Sequence, residues 1–355
     1  MLTSPGKTNI AVFLSALLLG QLLPAGDVMA QAQSMQKLAT RTDEGRQQSL
    51  IDGAKKEGSL LFYTTTPTEY VSLLTEPFEK KYGIKVNVWR ARSELILQRV
   101  ISEAKAGKPV VDVIASISPP MEALRRENLL QEVASVHHKD LTPSAVPAHH
   151  QWVSTLQYVF VQAYNTNKVS KDELPKTYQD LLAPKWKGKL GIEGSDHEWV
   201  TSVSRDMGEA NGSRFFNDLV SGNGLSVRSG HPLLTNLVAS GEVPLALTVY
   251  QYSVEQAKKK GAPIDWFALE PAVTIADAMA VPKNAPHPHA ALLFYDYLIS
   301  LEGQRIIAKI GYVATHTALE SPLKNVKLKV LDAGVLLDDQ EKSTARFEAL
   351  LRVNR

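Results

Sequence analysis

Residues 58–115 read GSLLFYTTTPTEYVSLLTEPFEKKYGIKVNVWRARSELILQRVISEAKAGKPVVDVIA, and their rhythm decides the fold. Leu60-Leu61-Phe62-Tyr63 is a short apolar run of the kind a buried strand needs. In Glu69 to Tyr82 the apolar residues Val71, Leu74, Phe78 and Tyr82 recur at helical spacing, and Gly83 closes the segment. Ile84, Val86 and Val88 then alternate with Lys85, Asn87 and Trp89 as a strand. A second helix over Glu94 to Ala106 leads to a third strand, Val110 to Ala115, apolar but for Asp112, and Pro120 opens a helix to Glu127. Strand alternating with helix predicts right-handed crossovers and a mostly parallel sheet covered on both faces.

That topology also places a site, because ligands of open parallel sheets gather at the carboxyl ends of the strands, beside helix N-termini. Here those loops are Thr64-Thr65-Thr66-Pro67, Arg90-Ala91-Arg92-Ser93 and Ser116-Ile117-Ser118-Pro119. All carry hydroxyls and one carries two guanidinium groups. A plainer reading makes Thr68 and Ser93 helix caps, worth about 1 kcal/mol each, and leaves the arginines solvated.

Upstream, an apolar run from Ile10 to Leu19 behind Lys7, ending near Val28-Met29-Ala30, has the pattern of a signal peptide over residues 1–30. It is shorter than the roughly 20 residues that span a bilayer, so a periplasmic protein is expected. Residues 31–48 read as a polar leader, and a helix is expected from Leu50 to Glu57. With 44% hydrophobic and 21% charged residues the chain is an ordinary globular one, and its formal charge of +2 offers no footprint for nucleic acid. The absence of cysteine excludes thiolate chemistry and disulfides.

Downstream a second alternating series follows. Tyr158 to Asn165 reads as a strand leaving the first unit. Lys189–Ile192, Leu225–Arg228, Val243–Val249 and Ile264–Phe267 read as strands, separated by helices near Trp199–Met207, Ser213–Val220, Leu233–Ser240 and Ser253–Lys260. Ile275 to Val281 (IADAMAV) returns the chain, ahead of helices over Pro288–Ser300 and Glu302–Ile310. The expected organisation is a first lobe of residues 49–157 plus 276–315, a second lobe of 158–275, and a C-terminal helical segment, 316–355, whose lobe is left open. Two crossings imply a hinge and a cleft between the lobes.

Catalytic and nucleotide motifs are missing: the sequence has no G-x-S-x-G, Walker A, G-x-G-x-x-G or H-E-x-x-H. The pairs His137-His138 and His149-His150, with His287 and His289, sit in turn-rich surroundings that favour solvated rings, and Lys258-Lys259-Lys260 suits a helix C-terminus. Asp196-His197-Glu198-Trp199 opens a helix, so capping is the plain reading of Asp196 and ligand contact by Asp196 or Trp199 the sharper one. Tyr250 and Tyr252 flank Gln251 after a strand, with both phenols on one face; they suit core packing, an organic ligand or, as phenolates, Fe(III).

The segment quoted above, the later GEVPLALTVYQYSVEQAKKKGAP and AVPKNAPHPHAALLFYDYLISLEGQRI, in that order and behind a secretory leader, resemble the periplasmic solute-binding proteins of bacterial ABC importers. Within them they resemble the extracellular solute-binding family 1 and its ferric-binding branch. The resemblance implies a type II periplasmic-binding-protein fold: two α/β lobes, each a mixed, mostly parallel sheet flanked by helices, joined by two hinge strands. It also implies an inner-membrane permease as partner, a monomer, and no catalysis. Ferric members hold iron with consecutive tyrosines, a histidine near the first strand and a glutamate after the third. Here Gln251 and Tyr252 fall on the tyrosines, Thr64 to Pro67 offer no histidine, and Ile117-Ser118 stand where the acid would be. Fe3+ would therefore need a synergistic anion beside Tyr252 and Tyr250. The preferred cargo is an organic or phosphorus-containing anion, gripped by Arg90 or Arg92 with Arg228, Thr64, Thr65, Thr66, Ser93, Ser116 and Ser118, with ferric iron as the alternative. An extracytoplasmic ligand sensor is a further reading, and a secreted hydrolase using Asp196 and Glu198 is the weakest.

Overall fold

The computed structural model describes residues 34–353; the signal-peptide reading of residues 1–30 lies outside them. The described residues begin with α1 (residues 34–40) and α2 (Arg46–Glu57), so most of the expected leader is helical and docked. Its polar composition conceals a narrow inward face. Met35 and Ala39 are buried, and the buried Arg46 pairs with Asp296.

The predicted alternation then unfolds as β1 (Ser59–Thr64), α3 (Thr68–Tyr82), β2 (Lys85–Arg90), α4 (Ser93–Lys105), β3 (Val113–Ile117) and α5 (Ser118–Arg126). Strand β1 pairs in parallel with β2 and β3. Asp112 explains why β3 begins late: its carboxylate is buried and accepts hydrogen bonds from the amides of Leu61 (2.7 Å) and His287 (2.7 Å). The acid in the apolar run ties β1 to the distant His287 segment through its side chain, while its own amide donates to the Leu61 carbonyl (2.9 Å).

Strand β4 (Val153–Asn165) is buried over all 13 residues and, at ~3.3 Å per residue, runs through both lobes. Beyond it lie β5 (Leu190–Glu193), α6 (His197–Asp206), α7 (Glu209–Asn223), β6 (Ser226–Arg228), α8 (His231–Ser240), β7 (Leu245–Tyr250), α9 (Gln251–Lys259), β8 (Ile264–Phe267) and β9 (Ala272–Ala280). Residues 153–159 of β4 pair antiparallel with β9, whereas residues 160–165 pair antiparallel with β7 and β8. The first lobe thus orders its strands β2-β1-β3-β9-β4 and the second β8-β4-β7-β5-β6. Between them the chain crosses on β4 and on β9, and the segment beyond Ile310 crosses once more.

Four apolar clusters, two on the faces of each sheet, fill the lobes. In the first, Phe62, Phe78 and Phe294 meet edge-on at 4.9–5.2 Å, each burial worth about 2–3 kcal/mol. Helices α10 (Pro288–Ile299) and α11 (Leu301–Ile310) complete this lobe, followed by β10 (Val313–Ala314) and β11 (Leu328–Val330). The last helix, α12 (Ala333–Val353), straddles the junction. Asp338 pairs with Arg126 of the first lobe, and Asp339 with Arg205 of the second, while Phe347 and Leu350 enter the second lobe's core.

Candidate cargo site at the lobe junction

The first lobe brings the three predicted loops together at the ends of β1, β2 and β3. Thr64 and Thr66 are buried and bond each other (3.0 Å), and the amide of Thr65 donates to the Ala115 carbonyl (3.2 Å). Ser116 donates to Ser93 at 3.0 Å. Ser93 is therefore not a helix cap: α4 has no side-chain cap, and neither does α3. The hydroxyls of Thr65 and Ser118 are buried without a partner. Arg90 and Arg92 are exposed, and their guanidinium groups have no partner among the described residues.

The junction itself is aromatic. Tyr250, at the end of β7, stacks on Tyr158 (4.9 Å between centroids) and lies near-parallel to Tyr252 (6.1 Å, 19°). Tyr252 meets Tyr312 at 4.3 Å. The two phenols do lie on one side, but not by strand alternation: Tyr250 ends β7 and Tyr252 is in the first turn of α9, while Gln251 lines a cavity of about 420 Å³ between α9 and α11. Tyr250 and Ile117 pack against the cores of both lobes. Burial raises the Tyr250 phenol well above its ordinary range and pushes Tyr252 up to about 12, so both are neutral at pH 7 unless a metal displaces the proton. Below them Asp277 of β9 is 2% exposed, with one oxygen unpartnered, and burial pushes its carboxyl up to about 7.

The second lobe contributes an acidic wall. Glu193 ends β5; its carboxylate accepts from the Ser195 amide (2.7 Å) and hydroxyl (2.5 Å) and from the Gly230 amide (2.8 Å). Asp196 does not cap α6, which has no side-chain cap. Instead one of its oxygens lies 3.2 Å from His231 Nε2 and the other is unpartnered. The His231 ring lies 3.9 Å from the Tyr250 ring. Burial alone would lower the His231 pKa, but Asp196 and Glu193 outweigh it and the net shift is upward. Burial pushes Glu198 up to about 8.

Two expected ligands belong elsewhere. Trp199 is 1% exposed and packs between Tyr178 and Phe216, because the helix face it shares with Val203 is the inward one. The Arg228 guanidinium bonds Glu242 (3.3 Å) and its neighbour's carbonyl, while its backbone pairs in register with Glu193 and accepts from the Gly194 amide (2.8 Å). Glu193, His231 and Asp277 were not anticipated, although an acid closing the apolar LGIE or interrupting IADAMAV is the signal of a buried carboxylate. Three of the histidines expected to be solvated have side-chain partners: His138 bonds Tyr295, His287 bonds Asp112 and His289 bonds Glu57, the last two staying half-buried.

Residues 60–313 match the family described as bacterial extracellular solute-binding protein. The chain belongs to this family. It is 22% identical, over 79% of its length and 86% of the relative's, to the Fe(3+)-binding periplasmic protein of Serratia marcescens. It is 24% identical, over 70% and 78%, to the major ferric iron-binding protein of Neisseria gonorrhoeae. Among solved structures, iron-bound HitA from Pseudomonas aeruginosa superposes with a TM-score of 0.73 (20% identity, 82% of this chain, 99% of that one). AfuA from Actinobacillus pleuropneumoniae, with fructose-6-phosphate bound, superposes with a TM-score of 0.70 (22%, 83%, 99%). At these identities the structural likeness establishes the two-lobed type II fold. The family is one of solute binding for ABC uptake.

Proposed function

We propose that this protein is the periplasmic cargo-binding component of an ABC importer and that it captures a small solute bearing an anionic group by closing the hinge formed by β4 and β9. The observation that carries the reading is the pair of exposed guanidinium groups, Arg90 and Arg92, on the hydroxyl-rich rim of the first lobe between β2 and α4, set against a second lobe that contributes an acidic wall. Charge sorting follows: Glu193 and Asp196 repel a carboxylate or phosphonate, so the anionic end of the cargo meets the first lobe. Contacts to both lobes exist only when the cleft is shut, so cargo shifts the hinge toward the closed form that a permease would read.

A ferric cargo is the second reading, favoured by the stacked Tyr250 and Tyr252 and by the iron-binding relatives. Neither phenol is ionised at neutral pH, so Fe3+ must displace their protons and bring a synergistic anion. Calorimetric titration with carboxylates, phosphonates, fructose-6-phosphate and ferric citrate separates the two. Binding of an anion that weakens at least ~10-fold in an Arg90→Gln, Arg92→Gln double variant supports the first. Heat from ferric citrate alone, lost in Tyr252→Phe, installs the second, and no heat with any solute overturns both.

A further inference from the structure

We propose that Glu193, Asp196 and His231 form a binding site for a divalent transition-metal ion in the wall of the second lobe. Each of the three offers a ligand atom, and these atoms all lie within 4.8 Å of one another. A four-coordinate ion with bonds near 2.1 Å places its ligands about 3.4 Å apart; the Asp196 oxygen and His231 Nε2 already stand 3.2 Å apart. An imidazole with two carboxylates suits a borderline cation such as Zn2+ over Ca2+, which prefers an all-oxygen shell.

Charge balance supplies an independent reason. Asp196 is 3% exposed, and its free oxygen has no hydrogen-bond partner. Among the described residues no Lys or Arg pairs with Glu193, Asp196 or the neighbouring Glu198; their only ion-pairing partners are the histidines His231 and His197. Buried carboxylates are ordinarily paired or bound to a metal, and two of them with one imidazole leave a cation's worth of charge uncompensated. The surroundings also hold the ligands as a metal's outer shell does. Three donors fix the Glu193 carboxylate while leaving lone pairs on both oxygens, and the Tyr250 ring fixes the imidazole plane.

The site uses none of the tyrosines of the ferric reading as ligands and lies wholly within one lobe, so it does not depend on whether the cleft closes; because His231 stacks on Tyr250, a bound cation would also offset the negative wall that sorts the cargo's charge. The test uses the whole mature chain, stripped with chelator and titrated with Zn2+ and with Co2+. We expect one equivalent bound, visible absorption from the Co2+ form, and affinity reduced at least ~100-fold in Asp196→Asn and His231→Gln. Asp196→Asn keeps every histidine, so its loss of affinity separates this site from adventitious imidazole binding, and circular dichroism shows that both variants are folded. Failure of the wild-type chain to bind either metal overturns the proposal, as does undiminished binding by Asp196→Asn. Scattering of the same samples with anionic solutes scores hinge closure separately: a chain that binds Zn2+ but never compacts loses the uptake reading and keeps this one.

Discussion

Asp277 and His138 show how single buried groups set the pH response. Asp277 has a folded pKa of about 7, above the ordinary carboxylate value near 4. Its contribution favours the folded state below that ordinary value and is lost as pH rises through 7. Asp277→Asn is therefore expected to raise the unfolding free energy by about 2 kcal/mol at pH 8 and by little at pH 4.5, read from denaturant titrations at both. His138 is the opposite case. Burial, then the nearby His150 and Arg46, lower its pKa to about 4. Its stabilisation is complete above pH 6.5 and declines as pH falls toward 4. Since part of the ring meets water, about 1–2 kcal/mol is expected to be lost between pH 7.5 and 5, and His138→Gln should flatten that slope. Asp277 left a trace in the sequence as the one acid in an apolar run, whereas the role of His138 was not legible beforehand. A histidine beside another histidine in a turn gives no hint that Tyr295, 157 residues on, will receive it.

At the scale of elements, period was a good guide to type and a poor one to orientation. The helix read from Val71, Leu74 and Phe78 buries those residues, and the strand at Ile264 to Phe267 falls where it was expected. What periodicity cannot supply is the identity of the surface that a face meets, which is why Trp199 was a ligand candidate and is core, and why residues 34–40 went unseen as a helix. The contact of α6 with α7 shows how tight such surfaces are. A Cβ built on Gly212 would fall 2.3 Å from Ser204 Cα and 2.5 Å from its carbonyl oxygen, so the two helices meet backbone to backbone. Gly212→Ala, despite its better helix propensity, is expected to destabilise by ~2–3 kcal/mol, measurable as a fall in Tm.

For the molecule as a whole, the two-lobed plan was readable because two alternating series were joined by two lone strands. The acidic wall was not, since Glu193 and His231 are 38 residues apart and meet only through the β5–β6 pairing. The lobes are latched by a polar chain: Tyr70 of α3 donates to Gln256 of α9 (2.5 Å), whose amide donates to the Ile310 carbonyl (3.2 Å). Gln256→Ala removes both bonds, each worth about 1 kcal/mol, and is expected to enlarge the radius of gyration of the cargo-free protein and to weaken cargo roughly 5- to 10-fold. An unchanged scattering profile would show that the latch does not hold the lobes.

The position of β9 between β3 and β4 also bears on the order of assembly. A ribosome delivers residues 59–165 long before residues 272–280, yet the first lobe's sheet lacks the strand that joins β3 to β4 until the later stretch arrives. The outer half of the molecule can mature while the earlier half waits with a gap in its ladder. Such long-range pairing is slow to form, so the closing of that gap is a late step of folding, reached only once the strands on both of its sides are present.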